Sequence, residues 1–132
     1  MNKIKILVVD KEADALKLIQ NTLHNHNLTI ETNSLKAVKL IEKEKFDVFI
    51  IDYHMPNLNG IELLEEIKVM NYKYPHVSIL CLPIGTVHIF KEELISGLFD
   101  FFLEKPYEKK FLKEIIKKAI VKLKRMKDTV KK

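Results

Sequence analysis

Apolar and polar positions alternate along this chain in two rhythms: short solid apolar runs, and longer stretches with an apolar residue every third or fourth place. Ile4-Lys-Ile-Leu-Val-Val9 is short and β-branched, and predicts a strand buried on both faces. Ala13–His24 carries Ala15, Leu16, Ile19 and Leu23 at helical spacing. Leu28–Thr32 predicts a second strand. Ser34 is the expected N-cap of a helix over Leu35–Lys45, with Leu35, Val38 and Leu40 or Ile41 inward. Phe46–Ile51 predicts a third strand that ends at Asp52. Pro56 with Asn57, Asn59 and Gly60 predicts a loop, and Ile61–Met70 a helix with Ile61, Leu64 and Ile67 on one face. Val77–Leu82 predicts a fourth strand, broken by Pro83-Ile-Gly85. Thr86 is expected to cap Val87–Ser96, and Gly97 suits that helix's end. Phe101–Leu103 predicts a fifth strand, Lys105-Pro106 opens the last connection, and one long helix runs from Tyr107 onward.

Strands alternating with helices of this length imply βαβ units, hence a parallel sheet covered by helices on both faces. In such a sheet ligands gather at the carboxyl ends of the strands, where strand order reverses. Asp10 ends the first strand, Asp52 ends the third, and Lys105 follows the fifth. Two acids with a lysine beside them at one sheet end point to phosphate and metal chemistry. Asp47 belongs to the opposite end and is expected to be structural.

Composition narrows the class. Apolar residues make up 47% of the 132, enough for one domain with a proper core, and 3 Gly and 4 Pro argue against disorder. The lone Cys81 lies in an apolar run and is expected to be a buried, inert thiol. A single cysteine forms no internal disulfide, which suits a reducing compartment. No run is long and apolar enough to span a membrane, and the first apolar run stops at Asp10, too early for a signal peptide. The expectation is a cytoplasmic protein. The net charge of +5 is uneven: residues 1–104 carry −4 and residues 105–132 carry +9. The basic end is read either as a solvated helix face or as a surface for nucleic acid or an acidic partner. It contains no DNA-binding motif, and no direct nucleic-acid binding is expected. His24, His26, His76 and His88 show no ligand spacing and are expected at the surface.

The run Ile6-Leu-Val-Val-Asp10, the element Asp52-Tyr-His-Met-Pro56-Asn-Leu-Asn-Gly60, and Phe102-Leu-Glu-Lys105-Pro106 together resemble the receiver domain of response regulators. The resemblance covers residues 3 to about 122, and an Asp-x-x-Met-Pro-x-x-x-Gly element with a distal Lys-Pro is far more specific than either part. It implies a flavodoxin-like, doubly wound α/β fold with a five-stranded parallel sheet in the order 2-1-3-4-5. It implies phosphorelay signalling: a sensor histidine kinase donates a phosphoryl group to Asp52, and an output protein or domain responds. In that scheme Lys105 contacts the phosphoryl group. Asp10, Asp52 and the backbone carbonyl of His54 hold Mg²⁺, and Phe102 is the aromatic switch residue. Each also has a plainer reading; Phe102, for one, serves equally as a core aromatic. The chain is not expected to be an enzyme in its own right. It has no Gly-rich phosphate loop and no Ser/His/Asp set, and it lacks the second aspartate two residues on that a haloacid-dehalogenase-type phosphatase needs.

Two departures stand out against this family. The acid usually found directly after the first is Lys11 here. A unit-charge repulsion at ~4 Å and an effective dielectric near ~20 is about 4 kcal/mol, roughly three decades in affinity. Mg²⁺ binding is therefore expected to be weak or absent, with the Lys11 ammonium close to Asp52 or Asp10. Glu12 is the one candidate substitute ligand, but one residue out of register at a strand end it is expected to point elsewhere; the neutral alternative is that Lys11 swings into solvent and costs only a ligand. The second departure is Pro83, which falls where the family carries a Ser or Thr hydroxyl; in the neighbouring register Leu82 takes the place, again without a hydroxyl. An alternative function follows, a phosphorylation-independent pseudo-receiver that acts as an interaction module.

The last helix suggests a boundary. Leu112, Ile116, Ala119, Leu123, Met126 and Val130 recur at heptad spacing. Receivers end near residue 122 in this numbering. The division expected is therefore a receiver over residues 1–122 and a basic helical extension over residues 123–132 that projects past it. The resemblance also implies homodimerisation through the fourth helix, fifth strand and fifth helix.

Overall fold

A computed structural model describes residues 3–131 and gives a five-stranded, all-parallel sheet in the order β2-β1-β3-β4-β5. The strands are β1 (Lys5–Val9), β2 (Asn27–Glu31), β3 (Val48–Asp52), β4 (Val77–Pro83) and β5 (Phe101–Lys105). The helices are α1 (Ala13–Thr22), α2 (Ser34–Lys43), α3 (Gly60–Val69), α4 (Lys91–Ser96) and α5 (Lys109–Lys131), with a 3-10 turn over Val87–Phe90 before α4. The order reverses at β1, whose neighbours are β2 and β3. This is the flavodoxin-like topology.

Period-two alternation along the buried strands splits the interior in two. Ile6 and Val8 of β1, Ile50 of β3 and Ile79 and Cys81 of β4 face α1 and α5, where Ile19, Leu112, Ile116 and Ala119 pack against them. Leu7, Val9, Phe49, Ile51 and Leu80 face the other way, onto Ala37 and Ile41 of α2 and Leu63, Leu64 and Ile67 of α3. Every residue of β3 is buried, which carries Asp52 at its end into the interior with them.

Several local expectations are corrected. Asn33, not Ser34, caps α2: its side chain accepts the Leu35 and Lys36 amides at 2.9 and 3.3 Å. Ser34 is buried and donates its hydroxyl to the Leu58 carbonyl at 2.7 Å, tying α2 to the loop after β3. With the helix so placed, Ala37 and Ile41 point inward and Leu35 is 49% exposed. Thr86 caps nothing; its hydroxyl donates to the Pro83 carbonyl at 2.6 Å, and the expected single helix is a 3-10 turn followed by the short α4. Gly97 does end α4, at φ +82 where a side chain would be strained.

Two histidines are not simply surface residues. His26 Nδ1 accepts the Ile4 amide at 3.2 Å, and half-buried His76 stands edge-on to Phe49 and Tyr72. Phe111, in the first turn of α5, is 45% exposed.

Past residue 122 the apolar stripe of α5 still meets the core at two positions. Leu123 is 3% exposed within the core and Met126 packs against it, while Lys127 reaches Asp47 at 3.6 Å. Val130, the last position of the stripe, lies outside the described side chains. Asp47 also accepts the Lys5 amide at 2.8 Å, fastening β1 to the start of β3 at the far end of the sheet.

Candidate functional site

The switch in strand order opens a crevice beyond β1 and β3, and a cavity of about 420 Å³ lies there against Glu12, Asp52, His54, Pro83, Lys105 and Tyr107. Asp10 and Asp52 are both 1% exposed, because each follows directly on a fully buried run of strand. The loop after β3 wraps the site closely. Asn57 takes a positive φ of 72, Asn59 and Glu62 form a reciprocal capping box, and the Gly60 amide donates to the Tyr53 carbonyl at 2.9 Å. α3 thereby begins in contact with the Asp52 backbone.

Lys105, the last residue of β5, extends its ammonium among three carboxylates: Glu12 Oε1 at 2.7 Å, Asp10 Oδ2 at 2.8 Å and Asp52 Oδ2 at 3.3 Å. The convergence of Asp10, Asp52 and Lys105 matches the strand-end pattern of the sequence. Only the Glu12 contact is also a well-aligned hydrogen bond; Asp10 Oδ2 and Asp52 Oδ2 are buried and meet no donor but the Lys105 ammonium, and the buried Asp52 Oδ1 meets none.

Charges in this pocket shift one another. Burial, and then the neighbouring charge of Asp10, raise Asp52 above the ordinary carboxylate range, with Lys105 opposing. Burial alone would lower Lys105, but the carboxylates of Asp10 and Glu12 override it and hold the ammonium charged well above its usual pKa. Glu12 is pushed down by its bond to Lys105. Three carboxylates face one ammonium, leaving two formal negative charges in excess.

Lys11 and Glu12 are placed opposite to expectation. Lys11 is exposed, and the ion pairs of Asp10 and Asp52 are with Lys105. Glu12 turns in: one carboxylate oxygen from each of Asp10, Glu12 and Asp52 lies within 4.8 Å of the others. Strand alternation does not apply there because β1 stops at Val9. Asp10 Oδ1 then accepts the Glu12 amide at 2.9 Å, an Asx turn that swings residue 12 back over the pocket. The sequence signal for that turn is the strand-end Asp itself, whose side chain bonds the backbone amide two residues on.

Pro83 ends β4 opposite Lys105 and lines the cavity, where it offers no hydroxyl. The turn after it is held to its neighbours by the Ile84 amide on the Lys105 carbonyl at 3.1 Å, the Gly85 amide on Glu104 Oε2 at 2.8 Å and the Thr86 hydroxyl on Pro83. Phe102 is half-buried, packed against the core beside α4 and bordering a second groove with Ile84, Tyr107 and Phe111. Cys81 lies beside Asp52 in the sheet but is fully buried, and burial drives its thiol pKa up, as expected of an inert thiol. Among the described residues no helix is long and apolar enough to cross a membrane.

A family model described as the response regulator receiver domain matches residues 6–117. The protein-glutamate methylesterase/protein-glutamine glutaminase of Clostridium acetobutylicum is 32% identical over 126 residues, which cover 91% of this chain and 36% of that protein. The chain therefore spans little more than a third of that relative's length. Chemotaxis protein CheY-3 of Vibrio cholerae is 27% identical over 130 residues, covering 93% of this chain and 97% of that one. Among solved structures, the receiver domain of Francisella response regulator 1452 is similar with a TM-score of 0.79 at 27% identity, over 94% of this chain and 99% of that one.

Proposed function

The chain belongs to the response regulator receiver family of two-component signalling, and from that premise we propose that Asp52 accepts a phosphoryl group from a sensor histidine kinase. The observation that carries this is the buried Asp52 carboxylate beside an open crevice, held by no hydrogen bond and ion-paired only with the Lys105 ammonium 3.3 Å away. An Asp52 oxygen attacks the phosphorus of the donor, the donor's phosphorus–nitrogen bond breaks, and an acyl phosphate forms on Asp52. Phosphoryl transfer asks mainly for positioning and for neutralisation of the phosphoryl oxygens. Lys105 supplies one positive charge for that purpose.

The pocket's excess negative charge and the unpartnered Asp52 Oδ1 fit a hard divalent cation. Asp10, Asp52 and the His54 backbone carbonyl would hold Mg²⁺, which when bound neutralises phosphoryl charge. Lys11 is exposed, so water and salt screen its repulsion of that ion. Incubation with acetyl phosphate and Mg²⁺ tests the proposal on phosphate-affinity gels. A slower-migrating band is expected for the full chain and none for Asp52→Asn; an unshifted chain contradicts it.

A second reading has a specific observation in its favour. Pro83 removes the hydroxyl that would report phosphorylation to Phe102, and the turn after it is already bonded to β5. An interaction module that signals without phosphate fits that arrangement, with Lys105 holding the three carboxylates in one state. On either reading the chain acts as a signalling module rather than an enzyme, in the cytoplasm and together with an output protein or domain.

We also propose self-association through α4, β5 and α5. Ile89, Ile95 and Phe111 are 62%, 74% and 45% exposed on or beside these elements. Residues 123–132 are proposed as a basic helical extension of α5 beside that face. Sedimentation at high micromolar concentration checks this: a concentration-dependent dimer is expected, and a monomer throughout contradicts it.

A further inference from the structure

Glu12 stands where strand alternation puts no acid, and its carboxylate completes a set of three around the Lys105 ammonium. The Asx turn that brings it there is built from the Asp10 side chain, so the placement of Glu12 depends on the same residue whose other oxygen faces the cavity. Lys11, between the two acids, is turned out to solvent.

The Asp52 side chain, 1% exposed, adds a second observation: its Oδ1 has no partner at all, and its Oδ2 meets only the Lys105 ammonium, at 3.3 Å and outside hydrogen-bond geometry. Buried carboxylates without donors are costly, and such a pair of atoms marks a place for a group of opposite charge. Lys105 fills that need only in part. Its best-aligned bond goes to Glu12, whose side chain is 56% exposed. An ion pair that open to water is worth at most about 1 kcal/mol and is readily exchanged. A divalent cation would balance the two negative charges that Lys105 leaves uncompensated. An all-oxygen donor set selects a hard ion such as Mg²⁺ or Mn²⁺ over a thiophilic one.

We infer that Glu12 supplies the acidic metal ligand that the family pattern places at residue 11, and that an arriving divalent cation displaces Lys105 from Glu12. Lys105 then serves as a stand-in cation in the absence of metal and is released toward Asp52 when metal binds. This deepens the phosphoacceptor proposal and rests on the same pocket.

Mn²⁺ titration of the full chain, followed by loss of the free-ion electron paramagnetic resonance signal, tests it. The unaltered chain is expected to bind Mn²⁺, and Glu12→Gln to bind at least about tenfold more weakly, a difference of ~1.4 kcal/mol or more. Lys11→Ala is expected to change affinity far less than Glu12→Gln. Lys105→Ala is expected to tighten binding, because a competing cation is gone. Glu12→Gln alters an exposed side chain, and an unchanged circular dichroism melt confirms that it folds. Equal Mn²⁺ affinity in the full chain and Glu12→Gln overturns the assignment, as does an unaltered chain that binds no Mn²⁺ at tens of millimolar. Acetyl phosphate labelling separates this from the phosphoacceptor proposal. Labelling of Asp52 with the same metal dependence in Glu12→Gln overturns the role of Glu12 alone. Glu12-dependent Mn²⁺ binding with no labelling of Asp52 supports Glu12 and overturns only the phosphoacceptor.

Discussion

Replacing Lys105 by Met is expected to lower the unfolding free energy by about 3 kcal/mol at neutral pH, near the low end for removing one partner of a buried ion pair. The side chain is 14% exposed and the only ammonium within ion-pair distance of Asp10 and Asp52 among the described residues. Met fills similar volume, so the loss reports charge rather than packing. The pH profile should change with it. Asp52 already has its pKa raised by burial and by Asp10, so its folded form takes up a proton more readily than the unfolded chain does. A group of that kind detracts from stability above its folded pKa and ceases to do so as pH falls through it. With Lys105 gone, the opposing attraction is lost. Lys105→Met should therefore recover stability between neutral and mildly acidic pH, and Lys105→Met with Asp52→Asn should recover part of it at neutral pH. Urea denaturation across that range measures both. Wild-type stability in Lys105→Met, or a deficit independent of pH, contradicts the charge account of the pocket.

Gly60→Ala is expected to cost about 2–3 kcal/mol, in the upper range for overpacking a closed interior. A Cβ there would stand 2.7 Å from Leu80 Cδ1, 2.8 Å from the Asp52 carbonyl oxygen and 2.9 Å from Tyr53 Cα. Leu80 is a fully buried core side chain and the other two are backbone, so none gives way cheaply. Ala ordinarily favours a helix over Gly, which makes the expected sign opposite to propensity. One of the three crowded atoms is the carbonyl oxygen of Asp52 itself, so slower labelling by acetyl phosphate should accompany the lower melting temperature. A variant as stable as wild type, or more so, contradicts the close approach of α3 to β3.

These same residues show what a linear pattern reveals and what it conceals. The βαβ alternation, and the meeting of Asp10, Asp52 and Lys105, are legible because a buried parallel strand is a solid apolar run and its end is marked by the first charge. Period-two alternation puts Glu12 outside the pocket, but that alternation ends at Val9, where the backbone turns. Asn33 and Ser34 are both good caps, and what separates them is non-local: Ser34 is buried under the Leu58 carbonyl, 24 residues away in sequence. Leu35 and Ala37 lie on different helical phases, and only the docking of α2 on the sheet decides that the smaller one goes inside. On α5, heptad spacing does not state that Leu123 packs in the core or that Lys127 meets Asp47, since both contacts are with residues far away in sequence. Lys11 looked decisive as a charge in a motif, yet its effect depends on where the side chain points, which no spacing states.

The central claim is that Asp52 forms an acyl phosphate, and locating the modified residue tests it most directly. After incubation with acetyl phosphate and Mg²⁺, borohydride reduces an aspartyl phosphate to homoserine, and peptide mapping by mass spectrometry finds where that change lies. The account predicts homoserine at position 52, at no other aspartate, and none in a sample untreated with the phosphoryl donor. Recovery of the peptide spanning residue 52 with aspartate unchanged, or homoserine only at Asp10 or elsewhere, would contradict it.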